Sequence, residues 1–254
     1  MSNAQTTSAS TPPLAGEPAP LTPALIALRV LLIAVGLGLW FWTQGLIGAR
    51  DIQFDPAVAK GMLSGDGLLK LTEPVNTYLN NNERVADYLL IVSSLLINVL
   101  AIYLFARAIF GSSTRPFLGL LILFALRQIC QGMSALPAPP EMIWHQPTLG
   151  GWEPPGLLVT YKVGNDFFFS GHTAIAVYGA VELARLGRLG YLLLGLMTGL
   201  FQIAAVVVLR AHWAVDVYAG IATALLIAYL AQHIAPLFDR QLERLAARLG
   251  RSGG

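Results

Sequence analysis

Six separate stretches of about twenty apolar residues constrain this chain more than any single motif does. A bilayer hydrocarbon core about 30 Å thick is crossed by about 20 residues of helix. Residues 23–48, 85–110, 117–136, 167–186, 189–209 and 213–236 each meet that length and are bounded by charge, Pro or Gly. The last three follow one another almost without linkers, as antiparallel membrane helices can. Charge supports the reading: Asp, Glu, Lys and Arg make up 12% of the chain, against about 25% in soluble domains. The expected fold is all-α, a polytopic membrane protein of six transmembrane helices spanning 21–236. One cysteine, Cys130, rules out a disulfide framework and a cysteine zinc site. A net charge of +2 gives no nucleic-acid footprint.

Residues 1–20, rich in Ser, Thr, Ala and Pro, are too polar to fold alone and read as a disordered cytoplasmic tail. They lack the basic start of a signal peptide, and the apolar run after them is too long for one, so the first span is expected to stay in the mature protein. Residues 237–254 read as a basic cytoplasmic tail resting on anionic lipid. Arginines crowd the loops on the side of the two ends (Arg107, Arg115, Arg185, Arg188), and Arg29 is expected to snorkel there. By the positive-inside rule both termini are cytoplasmic. Trp40, Trp42, Trp144, Trp152 and Trp213 then fall at the outer interface. The Ala-, Leu- and Arg-rich, Lys-poor composition points to a bacterial inner membrane, with the outer face periplasmic.

Ionisable residues inside spans are costly and mark function by default. The fourth span opens with Ser170-Gly171-His172-Thr173, the sixth is entered through Arg210-Ala211-His212 with Asp216 four residues on, and the third carries Arg127. The topology brings these groups to one outer surface. A spacing of four sets His212 and Asp216 on one helical face, where the carboxylate can hold one ring nitrogen and leave the other as nucleophile or base. His172 can act as general acid, and Arg127 and Arg210 can clamp phosphate oxygens. Ser170 and the amides of Gly171 and His172, at a helix start, form an anion site. Each motif alone has a plainer reading: Ser170 as a helix cap, Arg127 as an ion-pair partner, the His–Asp pair as chance. His145, His233, Cys130 and the Glu182/Arg185 pair read as structural. The 49–84 segment is a candidate lid.

These residues resemble the type 2 phosphatidic acid phosphatase superfamily, and within it the sphingomyelin synthase-related branch. The resemblance rests on Gly164-Asn165-Asp166-Phe167-Phe168-Phe169-Ser170-Gly171-His172-Thr173, on His212-Trp213-Ala214-Val215-Asp216-Val217, and on Arg127 ahead of Leu136-Pro137-Ala138-Pro139. The phosphatase motif Lys-x6-Arg-Pro is absent, Trp213 and Ala214 replace the branch's Tyr and Thr, and Asn165 is an insertion. The resemblance implies a six-helix bundle of that superfamily. It also implies His212 as a nucleophile forming a phosphohistidine, Asp216 orienting it, and His172 protonating the departing alcohol.

The expected function is transfer of a phosphorylated headgroup from a glycerophospholipid to a lipid alcohol, ceramide or diacylglycerol, at the outer leaflet. Hydrolysis of a lipid phosphate, with water as acceptor, is one alternative. A catalytically silent lipid-binding membrane protein is the other. The expected partners are lipid substrates and the membrane, without nucleic acid, and no metal or cofactor is expected.

Overall fold

The structure is a computed structural model that describes residues 21–148, 150, 151, 153, 159, 161 and 167–252. The tail at 1–20, the Gly164-Asn165-Asp166 part of the first motif, Trp152 and Lys162 lie outside the described residues. Helix accounts for 77% of the described residues, with no strand among them. That is one of the few arrangements in which a chain in lipid satisfies its own backbone. The elements are α1 (Pro23–Gly48), α2 (Pro56–Gly65), α3 (Gly67–Leu71), α4 (Glu73–Asn80), α5 (Glu83–Phe110), α6 (Arg115–Met133), α7 (Gly171–Ala184), α8 (Leu189–Val208) and α9 (Ala214–Ser252).

Five helices, α1, α5, α6, α8 and α9, are long and apolar enough to cross a membrane. The expected fourth span is the exception. Its first residues, Phe167 to Phe169, precede the helix, which Ser170 caps by accepting from the Thr173 N–H at 3.4 Å. At the other end Gly187, at φ +70°, turns the chain toward α8. The remaining 14 residues of α7 reach only about 21 Å at 1.5 Å per residue. Helices α5, α6, α8 and α9 all pack against it. A helix shielded in this way buries its surface in protein and need not match the lipid thickness. Ala174, Ala176 and Tyr178 along it are fully buried. Close approach depends on small residues. A Cβ on Gly195 of α8 would stand 2.9 Å from the Ala180 Cα of α7, and one on Gly119 of α6 would strike the Tyr178 hydroxyl.

The end of the bundle away from α2–α4 is fastened by charge. Arg29, expected to snorkel, is instead 3% exposed. It donates from Nη1 to the carbonyls of Ile109 (3.1 Å) and Gly111 (2.7 Å), capping α5 where a cation also meets the negative helix end. Helix α9 continues through Pro236 for 39 residues, so the basic segment after 236 extends the last span. Asp239 on that extension accepts from the Thr114 N–H (2.9 Å), the Thr114 hydroxyl (2.6 Å) and the Ser113 hydroxyl (2.6 Å) at the start of α6. Glu182 pairs with Arg185, as the sequence suggests, and also with Arg115 at 2.9 Å.

At the opposite end, the candidate lid at 49–84 is docked rather than open. Leu69 and Leu79 are buried with Val206, Leu209 and Trp213, and the Asn76 side-chain amide donates to the Val208 carbonyl at 2.9 Å.

Glu182→Ala would leave two guanidinium groups facing an apolar gap. It should cost about 2 kcal/mol, below the usual range for a broken buried pair because both arginines are partly exposed. Thermal unfolding in detergent should show a lower midpoint, and an unchanged midpoint would mean that the pairs contribute nothing net.

Candidate active site

His212 lies in the short turn between α8 and α9, and Asp216 is the third residue of α9. From there the Asp216 Oδ2 reaches back to accept from the Trp213 N–H at 3.1 Å, the helix-end half of a capping box. The same oxygen stands 3.7 Å from the His212 Nδ1. That separation is too long for a hydrogen bond. Nδ1 is thus the ring nitrogen on the side of the acid.

The start of α7 is seated on this turn. The Ser170 N–H donates to the Asp216 carbonyl at 3.1 Å. One helical turn further along α9, a Cβ on Gly220 would lie 2.8 Å from the Ser170 carbonyl oxygen, so glycine lets the two backbones meet. His172 is thereby carried to the same place as His212. Arg127 enters from α6, 7% exposed, and its Nε donates to the Phe169 carbonyl at 2.9 Å. A Cβ on Gly171 would sit 3.2 Å from that Nε, so the guanidinium lies against the first residue of α7.

Arg127, Gly171, His172 and His212 line one cavity, whose other walls are Trp40, Phe124, Trp144 and Phe167 with Ile97, Ile175 and Ala211. Several buried polar atoms here have no hydrogen-bond partner: His172 Nε2, His212 Nδ1, Trp40 Nε1 and, behind His212, Asp216 Oδ1. Buried polar atoms are nearly always paired, so such a group of orphans around one space is what a site built for a polar ligand looks like. As the first two residues of α7, Gly171 and His172 have amides with no intrahelical acceptor. Two imidazoles, a guanidinium and helix-start amides can together bind an anion, attack it and move a proton.

Five of the seven residues singled out from sequence belong to this constellation: His172, His212, Arg127 and Gly171 at the cavity, with Asp216 behind His212. Ser170 does not line the cavity; it is fully buried, and its hydroxyl donates to the Thr173 hydroxyl at 3.0 Å, so it acts as a cap. Arg210 is elsewhere too. Its backbone adopts φ +51°, and its guanidinium, 1% exposed, donates to Glu141 Oε2 at 2.7 Å and to the Pro140 carbonyl at 3.2 Å. It ties the turn to the Pro-rich loop and does not reach the cavity. His145 is also spoken for, 2.8 Å from Asp87.

The aromatic walls were not legible as such. Trp40 and Trp213 suggested an interfacial belt but are 7% and 1% exposed. The Trp213 indole donates to the Pro137 carbonyl at 2.9 Å. Trp144 stands edge-on to His172, ring centres 5.2 Å apart, and Phe167 edge-on to His212 at 6.2 Å. Tyr161 packs on Trp144, and burial pushes its phenol above the ordinary range, keeping it protonated. Asp66 was also missed, although Asp66-Gly67 ahead of Leu68-Leu69 is a helix-start pattern. Among the described residues no group of three or more His, Cys, Asp or Glu is placed to hold a metal ion.

A multi-pass helical membrane protein with imidazole, guanidinium and carboxylate gathered at one buried cavity is the class that fold and site define. The family model for AtPDCT1/2 matches residues 66–233, about two thirds of the chain, including Arg127, His172, His212 and Asp216, and the chain belongs to that family. No curated protein and no solved structure matches it. The family is that of phosphatidylcholine:diacylglycerol cholinephosphotransferases, which makes this chain a membrane lipid phosphotransferase. That corrects the expected assignment to the sphingomyelin synthase-related branch of the type 2 phosphatidic acid phosphatase superfamily. Short His and Asp motifs reflect a kind of chemistry and do not separate families that share it. The chain departs from that branch in the motif flanks, at Trp213, Ala214 and Asn165.

Gly220→Ala should push the start of α7 off α9. A loss of about 1–2 kcal/mol in stability, accompanied by lower transferase activity, is the expected outcome. Unchanged melting and turnover would show that the contact relaxes freely.

Proposed function

We propose that this protein exchanges cholinephosphate between phosphatidylcholine and diacylglycerol through a phosphohistidine on His212. The observation that carries the reading is the pair of imidazoles beside Arg127 on one cavity, with the His172 Nε2 buried without a partner, in a chain of the AtPDCT1/2 family. Arg127 and the α7 amides hold the phosphodiester. His212 attacks phosphorus through Nε2, the bond to the glycerol oxygen breaks, and His172 gives that oxygen its proton, releasing diacylglycerol. A second diacylglycerol then returns a proton from its hydroxyl to His172, its oxygen attacks phosphorus, and the phosphorus–nitrogen bond breaks. Asp216 holds the His212 ring and offsets its positive charge in between.

The positive-inside count puts both chain ends in the cytoplasm and the cavity at the opposite leaflet. In a bacterial inner membrane, which the composition favours, that is the periplasmic one. The six helices α1 and α5–α9 act as one unit over 21–236. None of these steps draws on a metal ion.

The test is purified protein in nanodiscs with choline-labelled phosphatidylcholine and a diacylglycerol of different chain length. Label should move to the new acyl species, and acid-labile phosphate should remain on denatured protein. His212→Ala should abolish both, and His172→Ala should slow transfer roughly 100-fold. Release of water-soluble phosphocholine without acyl exchange, or full transfer by folded His212→Ala, would overturn the reading.

A further inference from the structure

A phosphatidylcholine headgroup makes two opposite demands on one small site. Its phosphate is anionic, while its quaternary ammonium is a cation with no N–H to donate. Arg127 meets the first demand. For the second, a carboxylate on the wall would pair with Arg127 instead, and among the described residues none lines the cavity. Aromatic faces attract a desolvated cation without neutralising a neighbouring guanidinium, and these walls are aromatic. Trp40 of α1 and Phe124 of α6, both lining the cavity, stack on each other at 5.2 Å and 28°. Trp144 from the outer loop stands beside His172. Trp40 adds an indole N–H that is buried without a partner, a donor free for an ester or phosphate oxygen of the bound lipid. A primary ammonium would be poorly served here, because its three N–H groups need acceptors that these walls lack. Helix α1 lies outside the matched 66–233 segment, so Trp40 is a contribution that family membership does not assign.

We propose that Trp40, Phe124 and Trp144 form the headgroup subsite, holding the trimethylammonium group and selecting choline over ethanolamine. This rests on the reading that phosphatidylcholine is the donor. With both donors present in nanodiscs, wild-type protein should favour choline. Trp40→Leu and Trp144→Leu should lower the choline-to-ethanolamine ratio about tenfold, and Trp144→Phe should restore most of it. On the wild-type protein, tetramethylammonium should compete with phosphatidylcholine where ammonium at equal ionic strength does not. No competition, or folded leucine variants with the wild-type ratio, would overturn the subsite. Absence of any headgroup transfer by wild type would instead sink the donor reading.

Asp66 supports a separate assignment. Its Oδ1 accepts from the amides of Leu68 (3.1 Å) and Leu69 (3.0 Å), capping α3, while Oδ2 accepts from the Ala214 amide at 2.8 Å, the first residue of α9. One carboxylate thus fixes the helix start that carries His212 and Asp216, from a segment of the chain nearly 150 residues away. We infer that Asp66 is a positioning residue for His212. Asn keeps one acceptor oxygen and can satisfy only one of the two helix starts. Asp66→Asn should lower kcat and phosphoenzyme formation about tenfold, with KM for phosphatidylcholine and the thermal midpoint near wild type. Asp66→Ser, a shorter cap that cannot span both helices, should do the same if Asn misfolds. A folded variant with wild-type kcat would overturn the assignment, while residual activity in His212→Ala would point to failure of the nucleophile reading instead.

Discussion

The joint between the start of α7 and the first turn of α9 is the contact on which the rest of the site depends. It consists of little: the Ser170 amide on the Asp216 carbonyl, and the missing side chain of Gly220 under the Ser170 carbonyl. Both helix starts are polar by nature, with amides that need acceptors, and both are buried where water cannot serve. Asp216 resolves one by capping back to Trp213, and Ser170 resolves the other through its own side chain. Because each cap also locks its neighbour, the two histidines follow the backbone into register without any direct bond between them. The residues that look catalytic in the sequence are therefore partly the ones that end and begin helices.

The same economy explains why α7 is short. A helix that began at Phe167 would span more of the bilayer but would carry His172 a full turn into its middle. Starting at Gly171 leaves the Phe167–Phe169 segment outside the helix, where the Phe169 carbonyl meets Arg127. The length lost is tolerable because four neighbouring helices stand between α7 and lipid.

Five of the spanning helices, and the gathering of His172, His212, Asp216 and Arg127, were legible because hydropathy is local and buried charge in an apolar run is conspicuous. Features set by distant partners were not. Arg210 sits two residues from His212 yet points to Glu141, since a left-handed backbone at one residue redirects a side chain in a way spacing cannot reveal. Arg29 and Trp213 are buried by partners 80 and 76 residues away. The expected fourth span differs at α7, where the apolar stretch is longer than the helix: three phenylalanines satisfy a hydropathy window whether or not they are helical.

On the proposed reaction, the bond broken in the donor and the bond made in the acceptor are the same phosphate ester to diacylglycerol. The exchange is close to thermoneutral, so the protein has no driving force to supply and has only to lower a barrier equally in both directions. One nucleophile and one imidazole that alternately gives and takes a proton are sufficient for that, and a second acid–base pair would be redundant. What such a site must prevent is the downhill reaction, hydrolysis of the phosphoenzyme by water. An aromatic and aliphatic wall around His212, closed by Trp144 and seated on a buried helix start, answers that requirement directly. The docked α2–α4 segment serves the same end, because it covers the α8–α9 turn with Leu69 and Leu79.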